Sequence, residues 1–248
     1  MSCAPGASMA VAEEPSIEIS DACEPADFVV AVDAGHTREN PGAISARGEA
    51  EYSYNRRIAY ELLDALHAAG FTRAFLINED EDEISLKNRV REAEKGRADL
   101  LLSVHHDSVH PAYLETWKYG GQTLKYCDRY RGYSLLVSGD DREFEASYAF
   151  AERLGSELNA EELWPTQHHA EPIEGENKPL LDKERGIYRY DGLAVLRRSR
   201  MPSVLLECGV IVHRIEEQVL DRPSHRAAIV RAVVAAIEMT CADAAEGD

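Results

Sequence analysis

Two short apolar runs constrain the fold more than any other feature of the chain, because each is too short for a helix, is rich in branched or aliphatic side chains and leads into a histidine. Phe28 to Val32 passes through Asp33 and the breaker Gly35 to His36, and Ala98 to Val104 delivers His105, His106 and Asp107. Between them lies a helical pattern from about Glu51 to Ala69, with Ile58, Leu62, Leu63 and Leu66 on one face and Gly70 as its stop. Parallel strands need a crossover of this kind, so the pattern predicts an α/β domain with a parallel sheet. In such sheets ligands bind in the crevice outside the carboxyl ends of the strands, which is where both histidines fall. A third buried run, Ser203 to Leu206, ends on another ionisable residue, Glu207, ahead of Gly209.

The other expected elements are a strand over Arg73 to Ile77, an acidic turn over Asn78 to Glu83 and a helix capped by Ser85 that ends near Gly96. Leu124 to Tyr126 and Tyr133 to Val137 read as two strands around the turn Tyr130 to Gly132. Helices follow over Phe144 to Leu158, Leu193 to Arg198 and Ser224 to Met239. Trp164 to Lys183 holds Pro165, Pro172, Gly175 and Pro179 among charges, and is expected to be a long ordered loop or lid. Its 248 residues, 44% hydrophobic, suffice for one domain with a full core. We place that domain at 28–240 with an extended middle segment at about 108–191, after a disordered leader or remnant at 1–27 and before a tail at 241–248.

A formal net charge of -18 with no Lys and Arg cluster argues against nucleic acid or an anionic membrane surface as partner. No apolar run approaches the roughly 18 residues of a membrane span. Five cysteines at irregular spacing, without a Cys-x-x-Cys pair, indicate neither a zinc ribbon nor a dense disulfide framework, and leave open a single bridge such as Cys23 to Cys127.

His36 and His105 at two strand ends, with Glu51 at the start of the first helix, make up two imidazoles and a carboxylate, a recurrent ligand set of catalytic zinc with a fourth position left to water. Glu207 suits a proton-shuttling carboxylate, with a structural partnership to Arg89 or Arg197 as the alternative. Arg89 reads first as a fold-bracing ion pair and second as a substrate contact. His106 and His110 are expected to be exposed neighbours of the ligand, His213 and Glu216 surface residues of a helix start, and Cys208 inert packing.

Val32 to His36, Pro41 to Ala43, Glu51 to Asn55, Leu86 to Arg89, Ala98 to His105, Val195 to Arg197 and Pro202 to Gly209 together resemble, in order, the zinc-dependent N-acetylmuramoyl-L-alanine amidases of the type-3 domain family, over residues 28 to about 238. The resemblance implies a mixed, mostly parallel twisted sheet flanked by helices, similar to zinc exopeptidases. It also implies one Zn2+ per chain on His36, Glu51 and His105, with Glu207 as the catalytic carboxylate. The reaction would be hydrolysis of the amide between N-acetylmuramic acid and L-alanine in peptidoglycan or its fragments. A muropeptide-binding module without activity, and a zinc aminoacylase or carboxypeptidase of similar fold, are the alternatives. The chain departs from the family pattern at Ala34, where Pro is usual, at Thr37 and Arg38, where Gly-Gly is frequent, and at Asp107, where Asn is common.

Some relatives carry an inhibitory segment that a partner protein moves. His168, His169, Glu171 and Glu174 are candidates for such a lid, touching metal or substrate, and an activator protein is a candidate partner; solvated surface is the simpler reading. Peptidoglycan implies a periplasmic or extracytoplasmic place of action, although no signal peptide is visible; the alternative is cytoplasmic work on recycled fragments. A monomer is the default.

Overall fold

The structure is a computed structural model that describes residues 23–79 and 84–246, so residues 1–22 of the expected 1–27 leader, the turn residues 80–83 and residues 247–248 of the expected tail lie outside the described residues. Strand β1 (Val30–Ala34), helix α1 (Glu51–Ala68), strand β2 (Phe75–Ile77), helix α2 (Leu86–Gly96) and strand β3 (Leu100–Asp107) alternate as the sequence pattern requires. After a two-stranded hairpin, β4 (Glu115–Tyr119) and β5 (Gln122–Tyr126), the chain returns to the main sheet with β6 (Ser134–Val137). Helix α3 (Phe144–Ala160), strands β7 (Leu180–Asp182) and β8 (Ile187–Arg189), helix α4 (Ala194–Arg198), strand β9 (Ser203–Val210) and helices α5 (Glu216–Leu220) and α6 (Pro223–Glu246) complete the domain.

The seven-stranded sheet has the order β2-β1-β3-β9-β6-β8-β7. Strands β2, β1, β3 and β9 are mutually parallel, whereas β6 runs antiparallel to β9 and β7 antiparallel to β8. Successive side chains of a strand point to opposite faces, and the core divides accordingly. Val30, Val32, Leu100, Leu102 and Val104 pack with Ile58 and Leu62 of α1, Phe150 and Leu154 of α3 and Ile229 and Val233 of α6. Val29, Ala31 and Leu101 face the other way, onto Val90 and Ala93 of α2 and Val195 of α4. Because both faces are covered, the central strands read as unbroken apolar runs. Ser85 caps α2, its hydroxyl accepting from the Asn88 amide at 3.2 Å. Among the described residues, no helix is long and apolar enough to cross a membrane.

Several expectations are corrected. The strands at 124–126 and 133–137 are not two arms around one turn, since β5 pairs with β4 and β6 joins the main sheet. The segment 164–183 is not free of regular structure; it contains a single helical turn at His168–Ala170 and edge strand β7. His106 is buried at 2% exposure because β3 continues past Val104 to Asp107. His213 is buried too, and the Glu216 carboxylate accepts from the amides of Gly132 at 2.7 Å and Val210 at 3.1 Å instead of facing solvent.

Cys23 pairs with Cys241 on α6, not with Cys127, which is a buried free thiol like Cys208. The bridge ties the residues ahead of β1 to the last helix across a sequence separation of 218. A link of that span removes much of the freedom of the unfolded chain. Replacing both cysteines by serine is expected to lower unfolding free energy by about 2–4 kcal/mol, measured by denaturant titration. An unchanged midpoint would contradict a stabilising role.

Candidate metal centre

His36 leaves β1 in a left-handed backbone conformation, φ 71°, which is uncommon for a residue with a side chain and is held only where the surroundings enforce it. Three captured carbonyls supply that enforcement. Arg89, 3% exposed on α2, donates to the Ala34 carbonyl at 2.8 Å and to the His36 carbonyl at 2.6 Å while pairing with the buried Asp33. Asn55 donates to the carbonyl between them, that of Gly35, at 3.0 Å. Asp33 is itself fixed by the Ser103 hydroxyl at 2.7 Å. Arg89 therefore braces the loop that presents His36, and Asp33, not Glu207, is its carboxylate partner.

Glu51 is the first residue of α1, where the helix dipole favours negative charge. The turn at Gly42, φ +77°, brings the Ala43 amide to 3.0 Å from Glu51 Oε2. A Cβ at Gly42 would overlap Glu51 Oε2 and the His36 ring, and one at Gly35 would overlap the His105 ring. Both glycines make room for the side chains around them. Glu51 Oε2 lies 3.1 Å from His36 Nε2 and Oε1 lies 2.9 Å from His105 Nδ1. Burial works against the Glu51 carboxylate, yet hydrogen bonds and charge from His105 and His36 hold it well below the usual carboxylate range.

The three side chains therefore converge, their candidate ligand atoms all within 4.8 Å of one another. The Glu51 side chain is 6% exposed, while His36 and His105 keep 32% and 18% of theirs open. A cavity of about 320 Å³ adjoins the two histidines, with Arg89, Ser103, Val195 and Leu205 among its walls. Two imidazoles and a carboxylate, set on a glycine-lined cradle and open on one side, form a donor set that suits a zinc-type ion.

Asn55 and His106 complete this arrangement; the sequence pattern predicts His106 as an exposed neighbour and assigns Asn55 no role, although Asn55 stands one helical turn after Glu51 and therefore shares its face. Burial pulls His106 down to about 3, so the ring is neutral, and its Nδ1 lies 2.8 Å from Asn55 Oδ1. Asn55 passes the constraint on through its amide, which donates to Glu51 Oε1 at 3.1 Å.

Glu207 is placed by register, directly across from His105 of β3 and Ser134 of β6. Its Oε2 is buried with no hydrogen-bond partner. Burial, then the negative charges of Asp107 and Glu51, push this carboxyl well above its ordinary value.

The four candidate lid residues do not share one place. His168 and His169 are buried against Asp107. Glu171 accepts from the Tyr130 hydroxyl at 2.8 Å and pairs with Arg129, and Glu174 is exposed.

The family model for N-acetylmuramoyl-L-alanine amidase (Amidase_3) matches residues 30–239. A putative N-acetylmuramoyl-L-alanine amidase of Buchnera aphidicola subsp. Baizongia pistaciae is 25% identical over 228 residues, covering 85% of this chain and 95% of that one. The amidase AmiC of Escherichia coli O6:H1 is 26% identical over 228 residues, 88% of this chain but 54% of AmiC, so the chain spans about half the length of that relative. In fold the chain is similar to the crystal structure of the amidase Ami1 from Mycobacterium smegmatis, with a TM-score of 0.69, 20% identity and coverage of 89% of this chain and 99% of that one.

Replacing Arg89 by Met would leave Asp33 buried without its cation, a change expected to cost about 3–5 kcal/mol. Denaturant unfolding of the metal-free protein checks this; a loss below 1 kcal/mol would mean that the pair does not brace the loop.

Proposed function

The chain belongs to the N-acetylmuramoyl-L-alanine amidase family, and from that premise we propose that it hydrolyses the amide between the lactyl group of N-acetylmuramic acid and the L-alanine of a peptidoglycan stem peptide, with zinc held by His36, Glu51 and His105. One observation carries the reading: the three donors converge beside Glu207, whose Oε2 is buried without a hydrogen-bond partner.

Zinc, when bound there, supplies Lewis-acid polarisation of the scissile carbonyl and makes a water more acidic. The remaining work falls to side chains of this chain. Glu207 takes the proton of the attacking water on its carboxylate and returns it to the amide nitrogen as the carbon–nitrogen bond breaks. Asn55 and Arg89 fix Glu51 and the His36 loop in position. The cavity beside the histidines receives the substrate.

The Cys23–Cys241 bridge supports action in an oxidising compartment outside the cytoplasmic membrane, where peptidoglycan lies. We place the catalytic domain over the matched residues 30–239 and their immediate flanks.

Release of free stem peptide from a defined muropeptide, followed by mass spectrometry, tests the proposal. Chelation is expected to abolish release and added Zn2+ to restore it. Glu207→Gln is expected to lower turnover by about 10²–10⁴-fold with metal content unchanged. Full activity after chelation or in Glu207→Gln would overturn the assignment, and cleavage of simple N-acyl amino acids in preference to muropeptides would overturn the substrate.

A further inference from the structure

We propose that Asp107, His168 and His169 form a second divalent-metal site, of the kind that takes Zn2+, distinct from the His36, Glu51 and His105 centre. The proposal does not rest on the amidase reading; it rests on how these three buried side chains meet.

Asp107 Oδ2 lies 3.2 Å from His168 Nε2 and 2.9 Å from His169 Nε2. All three residues are buried, at 8%, 1% and 6% exposure. Both ring nitrogens lie within ion-pair distance of the one carboxylate oxygen, yet none of the three atoms meets hydrogen-bond geometry with any partner. Their candidate ligand atoms also lie within 4.8 Å of one another. A buried polar atom without a hydrogen-bond partner is costly, and here three such atoms converge. A cation between them satisfies all three at once.

The far sides of the two rings are arranged for the same end. His168 Nδ1 lies 2.9 Å from the Thr166 hydroxyl oxygen, and His169 Nδ1 lies 3.0 Å from Glu176 Oε2, which also accepts from Lys178 at 2.6 Å. The Glu176 carboxylate accepts from the Nδ1–H of His169, and the Thr166 hydroxyl shares a hydrogen bond with His168 Nδ1. Each Nε2 faces Asp107 Oδ2. Outer partners of this type orient metal-bound histidines and raise their basicity.

Packing leaves the rings little freedom. The two centroids are 4.1 Å apart, and His169 meets the buried Tyr188 edge-on at 5.4 Å. Tyr188 in turn donates to the Thr166 carbonyl at 2.9 Å, so the segment that carries the ligands is bound to β8. An N₂O set with three protein donors leaves a fourth position for water, as in other zinc sites. Asp107 sits two residues beyond His105 on the same strand, so an ion held there anchors the 165–178 segment to the end of β3.

Metal analysis of the 248-residue chain, loaded with Zn2+ and dialysed, tests this by the number of ions per chain. The wild type is expected to hold two, the His168→Gln/His169→Gln variant one, and the His36→Ala/His105→Ala variant one. Glu176→Gln, which keeps both ligands, is expected to weaken one of the two sites by about 10–100-fold in a competition titration. Should the double glutamine variant fail to fold, titration of the His36→Ala/His105→Ala variant with Co2+ decides, since the proposal requires one bound Co2+ with visible absorption. A wild type with one ion, lost in His36→Ala/His105→Ala and leaving no Co2+ bound, would overturn the second site and spare the amidase reading. A count unchanged by His36→Ala/His105→Ala but lowered by the histidine pair would support the second site while removing the first.

Discussion

The buried pair of Arg89 and Asp33 is the interaction on which the rest of the centre depends. A histidine in the left-handed region holds that conformation only against a restoring cost, and here the carbonyls of Ala34 and His36 are held by the Arg89 guanidinium. Asp33 is the last fully buried residue of β1, so the same ion pair docks α2 on the sheet and aims the loop that follows the strand. Stability and site geometry thus share one contact. A buried ion pair is costly to desolvate and seldom a net source of stability; its use here is positional, since an apolar pair of similar volume would hold the helix but not the carbonyls.

The sheet brings the remaining groups to the same edge. β1, β3 and β9 are adjacent and parallel, so their carboxyl ends coincide, and the register sets His105 opposite Glu207. The pairing of β3 with β9 shifts between His105 and Asp107. Irregular pairing of that kind is frequent next to active sites, where it re-aims a side chain, and Asp107 here meets His168 and His169. α1 closes the site from the side of its first turn, with Glu51 and Asn55 on one face.

Much of this was legible in the sequence where burial on both faces makes a strand a continuous apolar run. β1, β3 and β9 announce themselves in that way, and the ionisable residues just past their apolar stretches locate the centre. β4 gave no such signal, because most of Glu115 to Tyr119 is exposed and the strand has no apolar face to alternate. β7 and β8 are three residues each, too short for any period to register. His106 looked like a loop residue because the apolar run stops at Val104, although the backbone pairing goes on to Asp107. The partner of Cys23 is 218 residues away, and the meeting of Asp107 with His168 and His169 depends on how a long segment folds back on the sheet; neither is encoded in local spacing.

The central claim is that the loop after β1, the start of α1 and the end of β3 form one metal-binding cradle. Anomalous diffraction from crystals of the zinc-loaded protein, collected on both sides of the zinc absorption edge, tests it most directly. The account predicts an edge-specific peak within about 2.0–2.2 Å of a nitrogen of His36, a nitrogen of His105 and an oxygen of Glu51. An active, zinc-containing crystal with no peak at those three side chains would contradict it.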